Sequence, residues 1–161
     1  MTRQLSHLSG EGEARMVDVS DKAVTVRTAT AAARVVLSAE CVAALRDRSV
    51  PKGDVLAVAR ISGILAAKKT PELIPLCHPL FLSGVEVTAK VTDEGVDVVA
   101  TVRTTERTGV EMEALTAVSV AGLAVIDMIK AIDRSAVITD VRVLAKSGGR
   151  SGDWRRPEDG R

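Results

Sequence analysis

The chain has 161 residues, 46% hydrophobic and 27% charged, with a formal net charge of +1. That length and apolar content suffice for one domain with a sizeable core, and a charge so near zero recruits no polyanion through its bulk field. With one Phe, one Trp and no Tyr, there is no aromatic platform on which single-stranded nucleic acid could stack. The core must be Val, Ala, Leu and Ile, and no nucleic-acid partner is expected.

Residues 1–15, MTRQLSHLSGEGEAR, are polar and read as a flexible arm, without the apolar stretch of a signal peptide. No run reaches membrane-spanning length free of charges, so the expectation is a cytoplasmic protein with no membrane partner. Cys41 and Cys77 are then free thiols. Two Cys and two His with no CxxC spacing give no closed zinc site, and no protein-bound metal is expected.

AVTVRTA (23–29) alternates apolar and polar residues as a strand does; AAARVVL (31–37) either continues it after a break or forms a second strand. Ser38 is placed to cap a short helix running to about Arg46. A loop follows, carrying Pro51, Lys52 and Gly53. Asp54 caps a helix over 55–69, whose Val55, Val58, Ile61 and Leu65 recur at helical spacing. Lys68 and Lys69 in its last turn suit the helix dipole. The segment TPELIPLCHPL (70–80) holds three of the five prolines, which predicts a stiff, non-helical stretch displaying Leu76, Cys77 and His78.

VEVTAKV (85–91), the turn TDEG (92–95) and VDVVATVRT (96–104) read as a hairpin with one wet face. Then comes the helix around which the chain is organised, Thr108 to about Asp133, with Thr108 and Glu111 in a capping-box pattern. From Ala114 to Ile126 it carries no charge on any face, as helices enclosed in a protein or an oligomer do. Asp127 and Lys130 follow that run; a carboxylate and an ammonium there cost free energy unless they pair or work. Glu113 stands 14 residues before Asp127, roughly 20 Å along the axis, so the two ends serve different parts of a site or sites in different subunits. VITDVRVL (137–144) is a last strand. The Lys146–Arg150 segment, KSGGR, either wraps an anion or is a bare linker. Residues 154–161 read as a flexible tail, leaving one domain over 16–153.

Strand, helices, hairpin, helix, strand is an α+β order: a ferredoxin-like βαββαβ plan with an additional helix, its antiparallel sheet carrying helices packed on one face. The uncharged helix needs cover on both sides, which predicts an oligomer.

Six stretches carry a family likeness: MVDVS (16–20), KGDVLAVARISGI (52–64), LIPLCHPL (73–80), TGVEMEALTAVSVA (108–121), the Asp127–Lys130 pair and LAKSGGRSGD (144–153). Together they resemble the cyclic pyranopterin monophosphate synthase family of molybdenum cofactor biosynthesis. The resemblance implies a lyase that converts 3′,8-cyclo-7,8-dihydroguanosine 5′-triphosphate to cyclic pyranopterin monophosphate, releasing pyrophosphate. It further implies a homohexamer, a trimer of dimers with sites at subunit interfaces, and a functional link to the radical S-adenosylmethionine enzyme that makes the substrate from GTP. Carried onto matching positions, Asp127, Lys130 and Lys52 are the catalytic candidates. Leu76, Cys77, His78, Met112, Glu113 and Lys146 are the substrate-binding ones. No cofactor is protein-bound, though Mg²⁺ can accompany the triphosphate. A carboxylate and an ammonium held together can divide proton-donor and acceptor roles, and lysines beside His78 can stabilise developing oxyanions. The competing expectation is a non-catalytic, nucleotide-sensing oligomer on the same fold.

Overall fold

In the computed structural model, residues 12–157 are described; residues 1–11 of the expected arm and 158–161 of the expected tail lie outside them. The strand expected at 23–29 and the run after it form one strand, β1 (Thr25–Val36). Ala29, Ala31, Ala33 and Val35 alternate into the core. Their small side chains keep the strand's period without a break and let a helix lie close above it. Helix α1 (Ala39–Arg46) starts where expected: Ser38 accepts from the Cys41 amide. So does α2 (Val55–Lys68), where Asp54 accepts from the Ala57 amide at 2.9 Å.

The proline-rich stretch departs from expectation at its start. Thr70–Leu73 forms one helical turn, α3, with Pro71 in its first positions. A proline costs nothing there because its missing N–H has no helical acceptor, and the Thr70 hydroxyl bonds the carbonyl of Ala67 at 3.0 Å, fastening the turn to the end of α2.

The hairpin pairs β2 (Leu82–Val91) with β3 (Gly95–Glu106). Gly95 starts β3 at φ +146°, and a Cβ there would fall 1.9 Å from the Val35 carbonyl oxygen, so only glycine lets β3 lie against β1. Next, α4 (Glu111–Ile129) is shorter at both ends than the sequence predicts. Its N-cap is Val110, without a side-chain cap, and the capping box does not form; the Glu111 carboxylate faces Lys146 at 3.7 Å instead. At the other end, Asp133 accepts from the Ser38 amide at 2.7 Å and from the Ser135 amide at 2.8 Å. A carboxylate bonding nearby backbone offers the chain an alternative to helix, and this one draws 130–135 out of α4 and ties it to the start of α1.

β4 (Val137–Ser147) runs three residues past its expected end. The expected flexible tail begins instead with a short strand, β5 (Trp154–Arg155), paired Ala145↔Arg155 and Lys146↔Trp154. The Arg156 amide and guanidinium extend this hold, donating to the carbonyls of Leu144 and Val143 at 2.7 and 2.8 Å.

The sheet order is β2-β3-β1-β4-β5, antiparallel throughout. This is the α+β, ferredoxin-like arrangement with its helices on one face. By length and composition α4 is apolar enough to cross a membrane, contrary to the reading from its terminal charges. Here Ala114, Ala117, Val118, Ala121, Val125 and Ile129 are buried in the core, against the sheet and against α2 at its side.

Candidate active site

The two ends of α4 carry two separate groups of polar side chains. At its C-terminal end, Lys130 donates to one Asp127 carboxylate oxygen at 2.7 Å. Lys52 donates to the other at 3.2 Å and to the Asp127 carbonyl at 2.7 Å. Lys52 reaches α4 from the loop before α2, closed by a bond from the Gly53 amide to the Val50 carbonyl. All three predicted catalytic residues are therefore one cluster, with side chains about half exposed. The Lys130 hydrogen bond, then that of Lys52, holds the Asp127 carboxyl below its ordinary range. It is ionised at neutral pH.

At the N-terminal end lies a cavity of about 720 Å³. Leu76, Cys77, His78, Met112, Glu113 and Lys146 all line it, so the six predicted binding residues are brought together. Lys52, Asp127 and Lys130 are not among its walls. The 14-residue offset on α4 spans roughly 21 Å of helix.

Glu113 is the deepest of these groups, 3% exposed. Desolvation first, with a smaller push from Glu111, raises its pKa to about 7. Burial, with Glu113 adding to it, also pushes the Cys77 thiol up, so that sulfur is protonated and not a ready nucleophile. The His78 imidazole meets the Val17 carbonyl through Nε2 at 2.7 Å. A carbonyl can only accept, so Nε2 carries a proton and Nδ1 is the nitrogen left for another partner. Lys146 lies 2.5 Å from the Ser151 hydroxyl. Beside it, Gly148 (φ +85°) presses against β1, where a Cβ would come 2.2 Å from the Val26 carbonyl oxygen, and its amide donates to Asp153 at 3.0 Å.

The raised Glu113 pKa has a consequence for stability. The native state holds this proton up to about pH 7, whereas an unfolded chain releases it near 4.3. Stability from this group is therefore full below the lower value and is lost as pH rises through the window. The wild-type melting temperature should fall between pH 5 and pH 8, and Glu113→Gln should remove most of that slope. A parallel slope in the variant would place the titration elsewhere.

A second cavity, of about 900 Å³, lies on the helix-free face of the sheet. It contains none of the predicted site residues, and its Arg34 is already paired with Asp97 at 2.6 Å and Glu94 at 2.8 Å.

The model of the MoaC family matches residues 16–149 of this chain. The chain belongs to the MoaC family. It is 65% identical over 153 residues to the cyclic pyranopterin monophosphate synthase of Streptomyces griseus subsp. griseus, covering 95% of this chain and 86% of the relative. To the protein of the same name in Nocardioides sp. it is 63% identical over 158 residues, covering 96% and 97%. To that of Chloroflexus aurantiacus it is 56% identical over 156 residues, covering 96% of each.

This MoaC-family cavity also contains Lys22 and Arg27, which sequence reasoning did not single out, and Asp18, Glu111, Arg150 and Ser151, which it named only within motifs or as a cap and not as binding residues. For Arg27 a signal existed. It occupies the same strand face as Ala29, Ala31 and Val35, a charge in an otherwise apolar register. Its guanidinium donates to the carbonyls of Glu106 and Arg107 at 3.0 and 3.2 Å. Lys22 gave none, and Asp18 only its place in the MVDVS stretch, because their position depends on how the segment before β1 is held.

Proposed function

We propose that this chain is a cyclic pyranopterin monophosphate synthase, a lyase of molybdenum cofactor biosynthesis. The observation that carries the reading is its 56–65% identity, over nearly the whole chain, to relatives bearing that name. A nucleotide-derived small molecule is the substrate class. In the finer reading, the cavity at the start of α4 takes 3′,8-cyclo-7,8-dihydroguanosine 5′-triphosphate, delivered by a radical S-adenosylmethionine enzyme. Lys146 and His78 lie against the phosphates, and Glu113 and Met112 against the base. Mg²⁺ travels with the triphosphate.

The Lys52–Asp127–Lys130 cluster supplies proton donors and an acceptor for opening and reforming the ring. It lies about four helical turns from Glu113, so a complete site takes the cavity from one subunit and the cluster from another. Ile61 on α2, Leu123 on α4 and Phe81 before β2 are 67, 58 and 78% exposed. Apolar surface left open beside two core helices supports the homohexameric, trimer-of-dimers assembly. The cytoplasm is the compartment of the reading.

The deciding experiment supplies the cyclic dihydro-GTP compound, made by the partner radical enzyme, and follows pyrophosphate and the pyranopterin product, with light scattering giving the mass of the assembly. Product from the wild type is the expected result. Binding of the triphosphate without product would overturn the enzymatic reading in favour of a nucleotide sensor.

A further inference from the structure

The segment between Val17 and Lys22 forms a wall of the cavity, to which it contributes Asp18, Val19, Asp21 and Lys22. Its internal bonds are local. The Lys22 amide donates to the Val19 carbonyl at 3.0 Å; the Ser20 amide and hydroxyl donate to Asp18 at 2.9 and 2.6 Å. Such turns fold a strap but do not fix it to the domain. The fixing is done by Arg107, between β3 and α4. Its guanidinium donates to the Ser20 carbonyl and, at 2.8 Å, to the Lys22 carbonyl. The Arg107 backbone is in turn held by Arg27, which donates to the carbonyls of both Glu106 and Arg107. The same Arg27 guanidinium fills the space beside Gly149, where a Cβ would fall 2.0 Å from its Nη1. Two arginines in series thus join the strap, the entry to α4 and the glycine loop, three sides of one cavity. At its far end the strap returns the contact: the Val17 carbonyl faces His78 Nε2 at 2.7 Å.

We propose that Arg107 is a positioning residue for the substrate cavity: by clamping the carbonyls of Ser20 and Lys22 it seats the 17–22 strap, and the seated strap fixes the orientation and tautomer of His78. The inference rests on the substrate reading above for its kinetic consequence, while its structural content stands apart from it. Arg107 does not line the cavity. It acts through Val17 and Lys22, one setting the donor nitrogen of His78, the other placing an ammonium at the rim.

The test uses the full-length chain with Arg107→Ala and Arg107→Lys. Two readouts need no turnover. Tryptic cleavage after Lys22 should be at least about tenfold faster in Arg107→Ala, because two charge-assisted bonds have gone, and slower again in Arg107→Lys, whose ammonium can still donate. ¹⁵N spectra of His78 should show the proton on Nε2 in the wild type and a mixture of tautomers in Arg107→Ala. A third readout uses the cyclic dihydro-GTP substrate. KM should rise about tenfold with kcat changed less than about threefold, a loss of binding and not of chemistry, and Arg107→Lys should recover part of it. Unchanged cleavage and an unchanged His78 tautomer in Arg107→Ala overturn the proposal, as does a freed strap with an unaltered KM. If the wild type makes no product, the enzymatic reading falls, and proteolysis with the ¹⁵N spectra still decides the role of Arg107.

Discussion

Asp127→Ala is expected to lower turnover by roughly 10²–10⁴-fold, the range that a positioned acid or base supplies, while the affinity for the triphosphate stays within about threefold of the wild type. The split follows from geometry. The carboxylate touches Lys130 at 2.7 Å and Lys52 at 3.2 Å but is not part of the cavity that gathers the binding residues. Removing it leaves two ammonium groups near one another with only the Asp127 carbonyl between them, still bonded to Lys52. The variant therefore loses an acceptor and also the carboxylate that holds both ammonium groups in place. Asp127→Asn keeps the hydrogen-bonding shape without the charge, and should be nearly as inactive if charge is what matters. Single-turnover measurements with the cyclic dihydro-GTP compound, alongside equilibrium binding, read the two quantities separately. An Asp127→Ala protein that turns over at the wild-type rate would remove the cluster from the mechanism. One that loses binding in proportion to activity would move Asp127 into the binding set.

A large stability effect should come from Gly63→Val. Gly63 lies at the crossing of α2 and α4, where an added Cβ would meet the Ala117 carbonyl oxygen at 2.9 Å, Val87 Cγ2 at 3.2 Å and Ala121 Cβ at 3.3 Å. The closest of these is backbone inside a helix, which cannot turn aside as a flexible side chain can. Overpacking a filled core costs about 1–3 kcal/mol and occasionally more, and a branched side chain against a fixed carbonyl belongs at the upper end. For a domain of this size each kcal/mol lowers the melting temperature by roughly 2–4 °C, which predicts a fall of about 6–12 °C. Gly63→Ala meets the same carbonyl with one methyl and should fall by about half as much. Calorimetry on both variants checks the order, and a Gly63→Val protein as stable as the wild type would mean that α2 can move away from α4.

Much of this fold could be read from local pattern. The caps at Ser38 and Asp54, the hairpin and the apolar α4 follow from signals within a few residues of each other, and each lies where the sequence puts it, the two ends of α4 excepted. The departures share a physical cause, since each depends on a partner distant in the chain. Asp133 ends α4 because Ser38, 95 residues away, offers it an amide. Glu111 leaves its capping box for a lysine on β4. Trp154 and Arg155 become a strand only because the end of β4 is an open edge. The candidate site divides in the same way. Leu76, Cys77, His78, Met112 and Glu113 stand in recognisable motifs, and the cavity unites them. Lys22 and Asp18 enter it through Arg107, a contact spanning more than 80 positions, which periodicity does not encode.

The pairing of β5 with β4 changes what the glycine-containing segment between them is. Without it, residues beyond Ser147 would be a tail with one fixed end, and ordering them around an anion would cost conformational entropy residue by residue. With Trp154 registered against Lys146, and the Arg156 guanidinium over the indole at 5.6 Å, the segment is a short closed loop fixed at both ends. Most of its freedom is then surrendered during folding rather than during binding. Two residues of strand at the very edge of the sheet therefore act as a preorganising clasp for Lys146 and its neighbours, and a chain cut before Trp154 would keep every charged side chain of the loop while having to order them anew each time a ligand arrives.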